Sequence, residues 1–394
     1  MPLARRCFAT FRALRNHDPV ILCEVLNKFP QFVKDHSLNL PEHPTEETLD
    51  YNALMTALDD APEELEDVFF YASLLATSEG WERIEEEADA QGRKLSFHTD
   101  GLGKSDLVLK AWLYRWPANQ SLLEESYARA RVHGKSAYTY YPSTADHRGR
   151  FKMPTDSVMA AIKSELHDYF VNLGLGKGTN VVKFDFDKEV WFLIRFPGLL
   201  TRQRAYEDDG TAMSLNFKPE EYDAVVYNTI YGDLRMNTRR RRDHLKYRVV
   251  FGHALLNTEN AFRVDRGMIT LEPLKGNCLG MFKTQDIEGL ASIVPTRISF
   301  HHLKSPARKI VWVADKNSSL LETNTFPSRL LPEETDTVHY TEFHYRMKNR
   351  ANTEPLVVHQ GNTLNYERDG DSVVLEEWLR ARGIVKSTFP VKKK

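Results

Sequence analysis

The ten residues Arg239-Arg240-Arg241-Arg242-Asp243-His244-Leu245-Lys246-Tyr247-Arg248 hold six Arg and Lys against one acid. A guanidinium is planar, permanently charged and able to grip a phosphate through two parallel hydrogen bonds, so such a run suits a phosphodiester backbone. Arg235, Tyr231 and Tyr247 lie close in sequence and offer further phosphate contacts or stacking. Arg235, Arg239, Arg240, Arg241, Arg242, Lys246 and Arg248 are therefore the expected nucleic-acid-binding residues, for DNA or RNA. The apolar spacing of Leu245, Val249, Phe251 and Leu255 predicts a helix from about Arg239 to Leu256. A helix N-terminus disfavours cations because its dipole is positive there, so four arginines at that position call for a partner. The plainer alternatives are a solvated basic face or a dock for acidic sequence elsewhere in the chain.

One arrangement of carboxylates has spacing suited to a metal. Asp223 is followed after nine residues by Asp233-Leu234-Arg235, with Pro219 just upstream and Glu165 in a preceding helix. This resembles the pattern of the PD-(D/E)xK nucleases, in which an Asp on one strand and an acid-x-Lys on the next bind a divalent metal and orient a water. The resemblance covers only the stretch from Glu165 to Arg235. It implies a nuclease in which Asp223 and Asp233 hold Mg²⁺, a hard cation that suits oxygen ligands, with Glu165 as a third catalytic carboxylate. Arg235 stands where the family has lysine and stays charged where a proton acceptor is wanted, and Asp233 falls in a Gly232-Asp233 turn. A hairpin with ordinary turn acids accounts for the same residues.

Other constellations carry less. The GLGKG run of Gly174, Gly176, Lys177 and Gly178 ends a helix and precedes a strand, whereas a phosphate loop follows a strand and opens a helix; Gly174 reads instead as a left-handed helix cap. Asp185, Asp187 and Glu189 alternate and place carboxylates on one face, but Asp187-Lys188 also fits a hairpin turn. His301 and His302, and likewise His339 and His344, are spaced so that a strand sends their side chains to opposite faces. No Walker, Rossmann, H-E-x-x-H or C-x-x-C pattern occurs in a supporting context, so Mg²⁺ for the nuclease alternative is the only cofactor expectation.

The elements that must position these residues fall into two styles. Residues 8–132 are helical in pattern, with Leu109, Trp112, Leu113 and Trp116 forming a core stripe and Ser105 set to cap it. The polar, Tyr-rich stretch His133–Pro154 reads as a connection. A helix over Asp156–Leu173 then gives way to short strand-like runs at Val181–Phe186, Val190–Phe196, Met213–Phe217, Ala224–Tyr227 and Leu234–Met236, an antiparallel meander. Further strands are expected at Met268–Glu272, Arg297–Phe300, Lys309–Val313, Val338–Met347 and Leu356–His359, then a helix over Ser372–Arg382 closed by Gly383. The fold class is α+β: an all-helical N-terminal domain, then a mixed, mostly antiparallel region. The domain expectation is 1–135, an acidic helical domain; 150–260, an α+β domain with the basic helix; and 261–394, a β-rich domain ending in a helix.

Charge is polarised along the 394 residues. Residues 42–89 carry sixteen Asp and Glu against one basic residue, Arg83, although the whole chain sums to only −2. That segment suits a basic protein partner or the chain's own arginine run, although acids such as Glu63 and Glu64 also fit the first turn of a helix begun by Pro62. Cys7, Cys23 and Cys278 are neither even in number nor closely paired, which favours a reducing cytoplasm. No apolar stretch matches a signal peptide or a membrane span. The leading expectation is a cytoplasmic nucleic-acid-associated binding or accessory protein. The alternatives are the metal-dependent nuclease and a protein-interaction scaffold.

Overall fold

The computed structural model describes residues 11–386 except 98, 100, 115, 118–120, 134–136, 147–149, 187, 207–211, 276–278, 302–308, 315–331, 333–335, 349 and 366–371. Cys7, Asp187, Cys278 and His302 lie outside the described residues. The chain divides into two compact units, Met1–Val132 and His133–Lys394.

The first unit is all-helical: α1 (Phe11–Arg15), α2 (Pro19–Leu26), α3 (Pro30–Asp35), α4 (Tyr51–Ala57), α5 (Glu63–Leu75), α6 (Ser78–Ala90), α7 (Lys104–Leu113) and α8 (Leu122–His133). Its core gathers Leu65, Phe69, Leu109 and Trp112 from α5 and α7. Many of the acids have structural work. Asp50 caps α4 by accepting from the backbone of Asn52 and Ala53, and Glu63, Glu64 and Glu66 occupy the first turn of α5, where carboxylates complement the helix dipole. Glu87 is buried against Arg129 at 2.8 Å. Ser105, expected as a cap, lies inside the first turn of α7, whose cap position is Gly103.

The second unit contains β1 (Ala137–Tyr141), α9 (Asp156–Asn172), β2 (Asn180–Phe186), β3 (Glu189–Pro197), β4 (Thr201–Tyr206), β5 (Ala212–Phe217), β6 (Glu220–Asn228), β7 (Leu234–Asn237), α10 (Asp243–Leu256), β8 (Leu290–His301), β9 (Ile310–Val313), β10 (Thr337–Met347), β11 (Glu354–His359), β12 (Thr363–Asn365) and α11 (Ser372–Ala381). Ten strands form one antiparallel sheet in the order β2-β3-β6-β7-β1-β12-β11-β10-β8-β9. The meander holds for β2, β3, β6 and β7, while β4 and β5 form a separate hairpin between β3 and β6. Residues 150–260 and 261–394, expected as two domains, contribute to this single sheet. They are joined through β1, which pairs with β7 on one side and β12 on the other. That strand lies in the stretch read as a connection. Met268–Glu272 forms no long strand; Ile269 makes only isolated bridges to Gly361 and Val385.

One face of the sheet is half covered. Ile162, Leu166 and Phe170 of α9 and Tyr247, Val250 and Phe251 of α10 pack on Phe192, Ile194, Val225 and Met236. Cross-strand partners share a face, so the same face continues through Thr139, Thr363 and His359, where side chains are exposed or half-buried. An antiparallel sheet tolerates this, with one side on the core and the other toward water. The opposite face carries a buried ion cluster. Arg235 Nη1 lies 2.7 Å from Glu189, its Nη2 3.2 Å from Glu376 and its Nε 3.6 Å from Asp233. Arg380 of α11 lies 2.5 Å from Asp233 and 2.9 Å from Glu376, and Tyr140 donates to Glu376 at 2.8 Å.

Burial alone would push the Arg235 guanidinium down, but the surrounding carboxylates of Glu376, Asp233 and Glu189 drive its pKa well above the usual value. Removing that cation leaves Glu189 without a guanidinium partner and Arg380 alone to face Asp233 and Glu376, and breaking a buried pair costs about 3–5 kcal/mol. Arg235→Ala is expected to lower the unfolding free energy of the second unit by that amount in urea titration. A loss under about 1 kcal/mol would show that the cluster does not hold the sheet together.

Candidate phosphate-binding cleft

Helix α10 begins at Asp243, so the four arginines precede it in the turn that leaves β7. The acid that the helix dipole prefers occupies the first turn, and the conflict read from sequence disappears. Two buried carboxylates shape that turn. Asp223 accepts from the Arg239 backbone N–H at 2.8 Å and from the Tyr247 hydroxyl at 2.6 Å. Asp243 accepts from Tyr169 at 2.8 Å and from Arg240 Nε at 2.8 Å. Burial and the Asp243 hydrogen bond raise the Tyr169 pKa to about 12, so this hydroxyl stays a donor.

The arginines have divergent roles. Arg240 turns inward, its guanidinium 5.1 Å from the Phe196 ring centre and 5.5 Å from that of Phe170. Lys246 is held by Glu165 at 2.7 Å, and Arg242 stays exposed, 3.9 Å from Asp243. Arg239, Arg241 and Arg248 line a cleft of about 580 Å³, joined by Arg266. Arg239 reaches Glu221 at 3.4 Å with its side chain 69 % exposed, and Arg248 lies 5.3 Å from the Tyr141 ring centre. Among the described residues Arg241 and Arg266 have no ion-pair partner. Hydroxyl groups complete the wall: Thr139 on β1, Thr238 after β7 and Thr363 on β12, with Asn362 beside them. Among the described residues, none that lines this cleft is an acid. Arg235, expected on the same surface, is fully buried in the ion cluster on the other face and out of reach of any phosphate.

His244 also lines the cleft, bonded through its two ring nitrogens to the hydroxyls of Tyr141 and Thr238. A neutral ring serves both, one nitrogen accepting and the other donating. Burial, then the positive charge of Arg241, lower its pKa below the ordinary 6.5. Leu245, expected on the apolar side of the helix, is 62 % exposed at the cleft rim.

Asp223 and Asp233, expected to hold a metal, and Glu165, expected as the third catalytic carboxylate, do not converge. Asn228 pairs with Asp233 across β6 and β7, five residues along β6 from Asp223. At about 3.4 Å per residue they stand roughly 17 Å apart. Alternation also sends them to opposite faces, Asp223 toward Tyr247 of α10 and Asp233 toward Arg380 of α11. Glu165 is exposed on α9 and paired with Lys246. The carboxylate face expected at Asp185 and Glu189 is likewise broken, since Glu189 is buried against Arg235. Gly174 adopts φ +75°, as a helix cap requires, and its carbonyl accepts from Lys218.

Histidines separated in sequence meet through strand pairing. His301 on β8 and His339 on β10 hydrogen-bond ring to ring at 3.0 Å, within a second cleft of about 560 Å³ that also contains Arg297, Lys309, Tyr340 and His359. In the first unit, Glu64, Asp67 and Glu124 edge a cleft of about 420 Å³ walled by Tyr71 and Trp112. Burial, then repulsion from Glu63, Glu124 and Glu66, raises the Asp67 pKa. No helix among the described residues is long and apolar enough to cross a membrane. No protein-family model matches the chain, and no curated protein matches it.

The His244 pKa, lowered on folding, sets a pH dependence. Its contribution to stability is fully present above the unfolded value near 6.5 and is lost as pH falls below it, because the unfolded ring takes up the proton first. The melting temperature of His244→Gln should fall less steeply from neutral to mildly acidic pH than that of the wild type. Parallel slopes would show that His244 is as free to protonate in the folded chain as in the unfolded one.

Proposed function

We propose that this chain is a cytoplasmic nucleic-acid-binding or accessory protein whose second unit holds phosphates in the cleft between β1, β12 and α10. The observation that carries this reading is the convergence of Arg239, Arg241, Arg248 and Arg266 on one concavity that no acid lines among the described residues. Two of these guanidiniums have no ion-pair partner among the described residues, and exposed forks beside hydroxyl donors match the oxygens of a phosphodiester. Residues 133–394 hold 39 Lys and Arg against 32 Asp and Glu, whereas residues 1–132 hold 14 against 23. Long-range attraction therefore favours a polyanion at the second unit. The first unit, with its crowded carboxylates at Asp67 and its cleft walled by Tyr71 and Trp112, serves in this account to recruit a basic protein partner.

The test is fluorescence anisotropy of labelled DNA and RNA against salt. Arg241→Ala with Arg266→Ala is expected to weaken binding to all sequences alike and to reduce the salt slope by about 0.7–0.9 for each phosphate that is no longer neutralised. Lys246→Ala, whose charge is already matched by Glu165, should leave the slope near wild type. A folded double variant with an unchanged slope removes the cleft as the binding site. Absence of binding by the wild type, with retention of a co-purifying protein through the acidic unit, would favour the scaffold.

A further inference from the structure

The arginine cleft and the histidine cleft lie in one row across the half of the sheet face that, among the described residues, no helix covers. Thr139 pairs with Thr363, whose hydroxyl is 3.3 Å away. The β11–β12 register, Val358 with Leu364, continues to set His359 beside Thr363. His359 pairs with Tyr340, Tyr340 with Ser299, and Ser299 with Val311. Paired residues point to the same side of a sheet, so this row presents one continuous surface perpendicular to the strands. Arginines stand at its α10 end, while Arg297, Lys309 and the His301–His339 pair stand at the other. Intervening positions are exposed or half-buried except Ser299, and the nearby acid Glu342 is already bonded to the Tyr340 hydroxyl at 3.0 Å.

We propose that the row is the track of a single strand of nucleic acid, which enters at the arginine cleft and crosses β12, β11 and β10 to the paired histidines. This rests on the reading of the arginine cleft as a phosphate site. From β1 to β9, beside which Lys309 stands, the row takes five strand steps of about 4.8 Å, roughly 24 Å and the reach of about seven nucleotides at stacked spacing. A single strand fits better than a duplex. The surface offers imidazole and phenol rings at His359, Tyr340 and His301 between cations, and rings of this kind stack only on bases that are not already paired. The His301 and His339 rings, hydrogen-bonded to each other, set stacking faces beside the cations Arg297 and Lys309 at that end of the track.

The experiment compares a labelled dinucleotide with an octamer, in ribo and deoxy forms, on the full chain. His359→Glu puts a carboxylate at mid-track, and Lys309→Ala removes a cation at the far end; both residues are exposed. Each is expected to weaken octamer binding by about tenfold or more while leaving the dinucleotide, confined to the arginine cleft, within about twofold. An octamer duplex should compete far less well than the single strand. If both variants bind the octamer as wild type does while Arg241→Ala with Arg266→Ala weakens it, the track is wrong and the arginine cleft stands. If the arginine variant also binds as wild type, the underlying reading falls with it. Equal competition by the duplex would overturn the single-strand assignment. A preference between the ribo and deoxy forms identifies which strand the track takes.

Discussion

The buried cluster of Arg235 and Arg380 with Glu189, Asp233 and Glu376 is the constraint on which the second unit depends. Its members come from β3, from the turn and strand at β7 and from the C-terminal helix α11, so strands of the unit's first half are tied to its last helix at one point. Trp191 and Asn228 also donate to Glu189, and Tyr140 donates to Glu376. Each carboxylate would be costly alone in this site, and each is acceptable because a guanidinium with several donors faces it. The cluster fixes β7 against β1, and β7 delivers the chain to the arginine turn on the other face of the sheet.

That turn shows how buried acid positions exposed base. Asp223 holds the Arg239 backbone and the Tyr247 hydroxyl, and Asp243 holds Arg240 and Tyr169. With Arg240 stacked inward on Phe170 and Phe196, its neighbours Arg239 and Arg241 are left facing the cleft. Asp223, which invited comparison with a metal site, thus acts as a positioning residue. The helices α9 and α10 cover only the β2-β3-β6-β7 half of their sheet face, and the arginines mark the border between covered and open halves.

Local pattern carried the helices and most strands, because period and turn chemistry are short-range properties. The runs at Val190–Phe196 and Ala224–Tyr227 lie within β3 and β6, the helix over Asp156–Leu173 matches α9 to one residue, and the α+β class holds. What escaped was non-local. AYTYY at Ala137–Tyr141 is strand-prone by composition, yet its Tyr and Thr side chains gave it the polarity of a connection; only its two neighbours, β7 and β12, make it a central strand. Arg235 carries the same charge as Arg241, and nothing adjacent to it in sequence distinguishes a buried ion partner from an exposed fork. Arg266, Thr363 and the His301–His339 pair join their clefts through contacts far apart in the chain, which spacing does not encode.

The most direct test of the account is to photo-crosslink a single-stranded oligonucleotide carrying a photoreactive base to the full chain and map the attached peptides. The account predicts adducts on the β1 segment Ala137–Tyr141 and on Thr238–Arg248, with further adducts near Tyr340 and His359 when the strand is long enough to cross the sheet. Adducts confined to Met1–Val132, or spread over the surface without regard to the cleft, would contradict it.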